Sequence, residues 1–192
     1  MSGRPAVFLD RDGVLNELVP NGLGVAESPL QVADVRPIDG AAAAVRDLAS
    51  AGYALVCVSN QPAAAKGVAS VAQLRTVHLR LVELLAWDGA LLDGSRLCLH
   101  HPDGVIPTLA GPCACRKPSP GMLLEAACEL SLDLSRSWMV GDTDADVLAG
   151  KAAGCATILI EHPESAHKRS SAIAPDLRAG SLARAVAGLL SS

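Results

Sequence analysis

"AVFLDRDGVLN", residues 6–16, is a continuous apolar run that stops at two aspartates, Asp10 and Asp12, with Gly13 directly behind them. A short run of this kind predicts a strand buried on both faces, the form found in parallel sheets. Two carboxylates this close repel one another, so a cation, a proton or a phosphorylated ligand is expected between them. Three further runs, "YALVCVSN" (53–60), "SWMVGD" (137–142) and "CATILI" (155–160), have the same form. Helical segments separate them: 39–52 closing on Gly52, Ser70 to Trp87, 120–130 opening at Pro120, and 144–154 closing on Gly154. Ser70 with Gln73 reads as a capping box, and Ser119 as a cap ahead of Pro120 at the first helical position. Leu74, Val77, Leu81, Leu84 and Leu85 make the apolar stripe of the second helix, with His78 at its edge as a packing residue. The alternation predicts one α/β domain over 1–192: a Rossmann-like three-layer sandwich around a central parallel sheet with right-handed crossovers.

Composition narrows the function. The 192 residues are 50% hydrophobic and 19% charged, enough for a core that stands alone. A net charge of −4 and no basic block give no positive field for nucleic acid, and aromatics, at 2%, offer few stacking platforms for bases. No apolar stretch approaches the roughly 20 residues that span a bilayer, and the amino terminus is too short and too soon acidic for a secretory signal. The chain therefore reads as cytoplasmic with neither nucleic acid nor membrane as partner, and a monomer is expected.

Ligands of such folds gather outside the carboxyl ends of the strands. Asp10 closes the first strand, and Asp12, two positions on, faces the same side. Asp142 closes the third run and Ser59 with Asn60 the second, so polar groups from three strand ends converge. A calcium loop is excluded, because Val14 and Leu15 stand where an EF-hand needs an oxygen ligand and a glycine. A turn merely decorated by two acids fits poorly once Ser59, Lys117 and Asp142 are added. Asp146 falls on the following helix, where it either supports the same site, caps the helix or meets solvent. In "CLHHPDGVIPTLAGPCACRKP" (98–118), Cys98, Cys113, Cys115 and one of His100 or His101 form two close pairs across a loop, the pattern of a tetrahedral structural zinc. Disulfides suit a cytoplasmic protein poorly, and a Cys113–Cys115 bridge is strained. Cys57, Cys128 and Cys155 read as ordinary thiols.

"FLDRDGVLN", Ser59-Asn60-Gln61, "CRKPSPGM" (115–122) and "MVGDTDAD" resemble the four ordered motifs of the haloacid dehalogenase-like (HAD-like) phosphatases. More closely they resemble the zinc-containing branch of heptose 1,7-bisphosphate and histidinol-phosphate phosphatases, over about residues 6 to 160. The resemblance implies a two-step phosphoryl transfer. Asp10 is then the nucleophile that forms an aspartyl-phosphate, and Asp12 the acid, then base. Asp10, the Asp12 carbonyl and Asp142 hold Mg2+. Ser59 and Lys117 hold phosphoryl oxygens, Asn60 and Gln61 bind substrate, and Arg116 reaches its distal part. The family pattern Cys-x-His selects His100 beside Cys98, Cys113 and Cys115 for Zn2+, which stiffens the loop that carries Arg116 and Lys117.

No large cap is inserted between Asp12 and Ser59 or between Ser59 and Lys117, so loops must select the substrate. The connection between the two ligand pairs is similar in length to that of the heptose bisphosphate phosphatases, and implies the C7 phosphate of a small sugar bisphosphate as target. Histidinol phosphate or another small phosphomonoester is the alternative substrate. A non-catalytic phosphate-binding protein is the alternative of another class. After Gln61 the sequence departs from the family's glycine-containing loop: Pro62 has no backbone donor and Ala63 tolerates positive φ badly, which alters the contacts available to phosphate.

Overall fold

A computed structural model describes residues 3–22, 24–170 and 172–191. The four apolar runs form strands: β1 (Ala6–Leu9), β4 (Ala54–Asn60), β6 (Trp138–Gly141) and β7 (Ala156–Ile160). A small antiparallel pair, β2 (Val19–Pro20) and β3 (Ala26–Glu27), lies between β1 and β4, while β5 (Gly94–Cys98) and β8 (Leu177–Ala179) complete the main sheet. The six main strands are all parallel, in the order β5-β4-β1-β6-β7-β8. The helices are α1 (Ala41–Ser50), α2 (Val71–Trp87), α3 (Gly121–Leu130), α4 (Asp144–Ala153) and α5 (Leu182–Leu190).

The period of two in β1 separates the core into two layers. Val7 and Leu9 join Leu55, Cys57, Val140 and Ile158 under α1, α2 and α5. Ala6 and Phe8 join Val56, Val58 and Met139 under α3 and α4. Both faces of the sheet are thus covered, as the continuous apolar runs require. β5 and β8 escape the sequence reading because they are edge strands with little buried side-chain surface, and nothing in that reading assigns α5. Yet α5 carries a clear stripe, with Leu182, Ala185, Val186 and Leu189 all buried.

Two caps differ from expectation. The Ser70 hydroxyl does accept from the Gln73 N–H at 3.0 Å, but the Gln73 side chain donates to the Leu30 carbonyl, so the box is half formed. Pro120, not Ser119, occupies the cap position of α3, without a side-chain hydrogen bond. Gly154 ends α4 in the left-handed region as expected. Among the described residues no helix is long and apolar enough to cross a membrane.

Phe8 is the chain's one phenylalanine, sits on the central strand and is fully buried. Phe8→Ala is expected to lower the free energy of unfolding in urea by about 3–5 kcal/mol through the cavity it leaves; a loss below about 1 kcal/mol would contradict this packing.

Candidate active site

β1 lies between β4 and β6, so the sheet reverses its order of winding there, and the carboxyl ends of these strands open into a crevice. Asp10 follows β1, Ser59 and Asn60 end β4, and Asp142 follows β6. The cavity they line has a volume of about 600 Å³ and also takes in Asp12, Gln61, Arg116, Lys117 and Asp146.

Two glycines permit the crowding. Gly13 has φ +85° in the turn that brings its N–H to the Asn16 carbonyl at 2.8 Å, and a Cβ there would come within 2.3 Å of Asp142 Oδ2. A Cβ on Gly141 would come within 2.1 Å of the Asp146 Cβ. A Cβ at either place would have to displace an acid, and Gly13 also holds a left-handed backbone, so glycine lets the acids close up on β1.

The acids share one cation. Lys117 Nζ lies 2.9 Å from Asp10 Oδ1 and 2.5 Å from Asp146 Oδ1, and donates to the Val58 carbonyl at 2.8 Å. Asp146 settles its open question twice: its Oδ1 meets Lys117, while its Oδ2 accepts from the Thr143 N–H and hydroxyl and so caps α4. One carboxylate oxygen from each of Asp10, Asp142 and Asp146 lies within 4.8 Å of the others. When all three are ionised, one ammonium leaves two negative charges in a buried space. Desolvation first, then Asp146 and Asp142, outweighs Lys117 and pushes the Asp10 carboxyl up to about 7. Burial and Asp146 likewise push Asp142 up to about 6. Asp142 Oδ1 is buried with no hydrogen-bond partner. An orphaned carboxylate oxygen beside two unneutralised charges fits a divalent oxygen-ligated cation.

Asp12 is held quite differently. The Nε of Arg11 donates to both its oxygens, at 3.0 and 3.1 Å, and Nη2 lies 2.8 Å from Oδ2. Asn16 Nδ2 and Gln61 Nε2 add donors at 3.2 and 2.8 Å. Burial alone would raise the Asp12 carboxyl, but the Arg11 charge and these hydrogen bonds win, and the net shift is downward. Arg11, only 1% exposed, is the partner that sequence reading misses, because an arginine between two acids looks like a surface residue. His78 is buried beside it: desolvation and then the Arg11 charge push its imidazole down to about 4.

Asn60 and Gln61, both in the cavity lining, also make hydrogen bonds within the protein. The Asn60 amide donates to the Lys117 carbonyl at 2.9 Å and accepts from the Lys117 N–H at 3.0 Å, fixing that lysine's backbone. Gln61 bridges Asp12 and the Ser59 hydroxyl. Arg116 donates to the His100 carbonyl at 3.2 Å and lines the cavity with Lys66 and His101. The altered loop packs on the cysteine-rich segment: Val105 and Ile106 both donate to the Ala65 carbonyl, at 2.7 and 3.1 Å.

In that segment the Cys98, Cys113 and Cys115 sulfurs lie 3.1 to 3.6 Å apart, unbonded, with His100 Nδ1 3.5 Å from Cys115 and 3.9 Å from Cys98. His101 is turned elsewhere, its Nδ1 accepting from the Asp103 N–H at 3.1 Å. Burial and then the neighbouring Cys98 and Cys113 push the Cys115 thiol up. Three sulfurs and one nitrogen around a common point fit a tetrahedral metal.

Fold and acid cluster together define a HAD-like hydrolase, and comparison with known proteins agrees. The HAD-hydrolase-like family model matches residues 114–185. D-glycero-beta-D-manno-heptose-1,7-bisphosphate 7-phosphatase of Rhodopseudomonas palustris is 40% identical over 151 residues, covering 79% of this chain and 80% of that protein. D-glycero-D-manno-heptose-1,7-bisphosphate 7-phosphatase of Thermosynechococcus vestitus is 44% identical over 162 residues, covering 82% and 79%. The crystal structure of D,D-heptose 1,7-bisphosphate phosphatase from B. bronchiseptica, complexed with magnesium and phosphate, matches with a TM-score of 0.80 at 29% identity, over 97% of this chain and 98% of that one. The chain belongs to the HAD-like phosphatases, and is a phosphoric monoester hydrolase.

The raised acids make stability depend on pH. Asp10 and Asp142 bind protons more tightly in the folded chain than at their ordinary value of 3.8, so their contribution is full below about pH 4 and lost as pH rises to about 7. In EDTA the melting temperature is expected to fall between pH 5 and pH 7.5, and Mg2+ to raise it more at the higher pH. An equal Mg2+ effect at both would contradict the cluster's charge.

Proposed function

We propose that this chain removes the C7 phosphate of D-glycero-D-manno-heptose 1,7-bisphosphate through an aspartyl-phosphate on Asp10. The observation that carries the reading is the buried cluster of Asp10, Asp142 and Asp146 around Lys117, at the floor of a cavity whose wall holds Lys66, His101 and Arg116. The names of relatives at about 40% identity supply the sugar.

Asp10 Oδ1 is taken up by Lys117 Nζ and by the Arg11 N–H at 2.7 Å, which leaves Oδ2 as the attacking oxygen. Attack forms the Asp10–phosphorus bond and breaks the bond from phosphorus to the sugar oxygen, which takes a proton from Asp12. Free Asp12 is ionised; a phosphoryl dianion set against it raises its affinity for a proton, so the proton arrives with the substrate. The Asp12 carboxylate then takes a proton from water, which attacks phosphorus and frees Asp10 and inorganic phosphate. Covalent catalysis thereby divides one slow hydrolysis into two easier steps.

Mg2+, held by Asp10, the Asp12 carbonyl and Asp142, would neutralise phosphoryl charge during this chemistry. Lys117 and Ser59 hold phosphoryl oxygens, while Asn60 and Gln61 bind substrate from the cavity lining and also fix Lys117 and Asp12. Arg116 binds the phosphate that is not cleaved, aided by its bidentate guanidinium. Zn2+ on Cys98, His100, Cys113 and Cys115 orders the loop that delivers Arg116 and Lys117. The chain works as a cytoplasmic monomer.

Phosphate release from the heptose bisphosphate is expected to exceed that from histidinol phosphate in kcat/KM, and Asp10→Asn to cut turnover by about three orders of magnitude or more. Faster histidinol phosphate hydrolysis would overturn the substrate, and an active Asp10→Asn variant the nucleophile.

A further inference from the structure

One wall of the cavity comes from the segment after β7. A short 3-10 helix, Pro163–Lys168, is fastened to the end of β6 and the start of α4 at two points. The Ser165 hydroxyl, fully buried, donates to the Asp142 carbonyl at 3.2 Å, and the Ser170 N–H donates to Asp144 Oδ2 at 2.7 Å. Arg169 ties the same segment back to the Ile160 carbonyl at 3.2 Å. This fastening makes a lip that puts His167 and Lys168 into the cavity lining with Asp142 and Thr143.

Among the described residues no carboxylate lies within ion-pair distance of Lys168. Its charge nevertheless reaches the Asp142 carboxyl. An exposed ammonium at a cavity, without a protein counterion, is an anion-binding group on a flexible four-carbon stem. Lys66, His101 and Arg116 reach the cavity from other loops, whereas Lys168 stands on the side of Asp142. The anion within its reach is therefore the phosphoryl group that must lie against Asp10 and Asp142.

Resting on the phosphatase reading above, we propose that Lys168 is a substrate-anchoring residue, binding an oxygen of the reacting phosphoryl group from this C-terminal lip. It adds a cation that no motif in the sequence announces.

The test uses the whole protein with Mg2+ bound, measuring inorganic phosphate affinity by calorimetry and KM for the sugar bisphosphate. Lys168→Ala is expected to weaken phosphate binding and raise KM by about tenfold, the loss of one charge-assisted hydrogen bond. Lys168→Arg should stay within about threefold of the wild type, and Lys168→Glu should bind more weakly than Lys168→Ala. All three should melt with the wild type, because the side chain is exposed. Phosphate affinity in Lys168→Ala within about twofold of the wild type, or no recovery in Lys168→Arg, would overturn the assignment. A wild type that neither binds phosphate nor hydrolyses any phosphomonoester would instead overturn the phosphatase reading itself.

Discussion

Asp142 and Asp146, both buried, and the half-buried Asp10 crowd around the single ammonium of Lys117, whose one positive charge cannot balance them. The order of the sheet brings the three acids together: β1 is flanked by β4 and β6, so the groups at their carboxyl ends meet across the switch point. Gly13 and Gly141 remove the Cβ atoms that would hold Asp142 and Asp146 away. Asn60 then clamps the Lys117 backbone from β4, so that the shared cation is fixed by a neighbouring strand rather than by its own loop.

The two acids of the opening motif end in opposite electrostatic states although they are two residues apart. Asp10 is pushed up by desolvation and then by the carboxylates it faces, whereas Asp12 rests on the buried Arg11 fork and is held down. This difference suits them to different work, one to bond to phosphorus and the other to exchange a proton. Around them the selecting surfaces come from separate segments. The cysteine-rich loop and the loop it pins at Ala65 contribute His101, Arg116 and Lys66, and the lip after β7 contributes Lys168.

Much of this was legible in residue order. Strands buried on both faces cannot alternate, so β1, β4, β6 and β7 stand out as apolar runs, and the acids that close β1 and β6 mark the crevice. The cysteine pairs were legible from spacing, since a metal needs its donors close in sequence or folded together. What stayed hidden follows from physics the sequence does not carry locally. β5 and β8 bury too little surface at the edges to show a run, and Arg11 looks exposed until the fold encloses it. The partner of Asp146 depended on where Lys117 would land, 29 residues away. Lys168 reaches the cavity only because Ser165 and Ser170 anchor its segment to residues 142–144.

Calorimetric titration of the metal-free protein with Mg2+ at pH 6, repeated in buffers of different ionisation enthalpy, tests the cluster most directly. The account predicts one ion bound per chain with release of a proton, because a cation at Asp10 and Asp142 must drive off the protons their burial retains. Absence of binding, or binding without proton release, would contradict it.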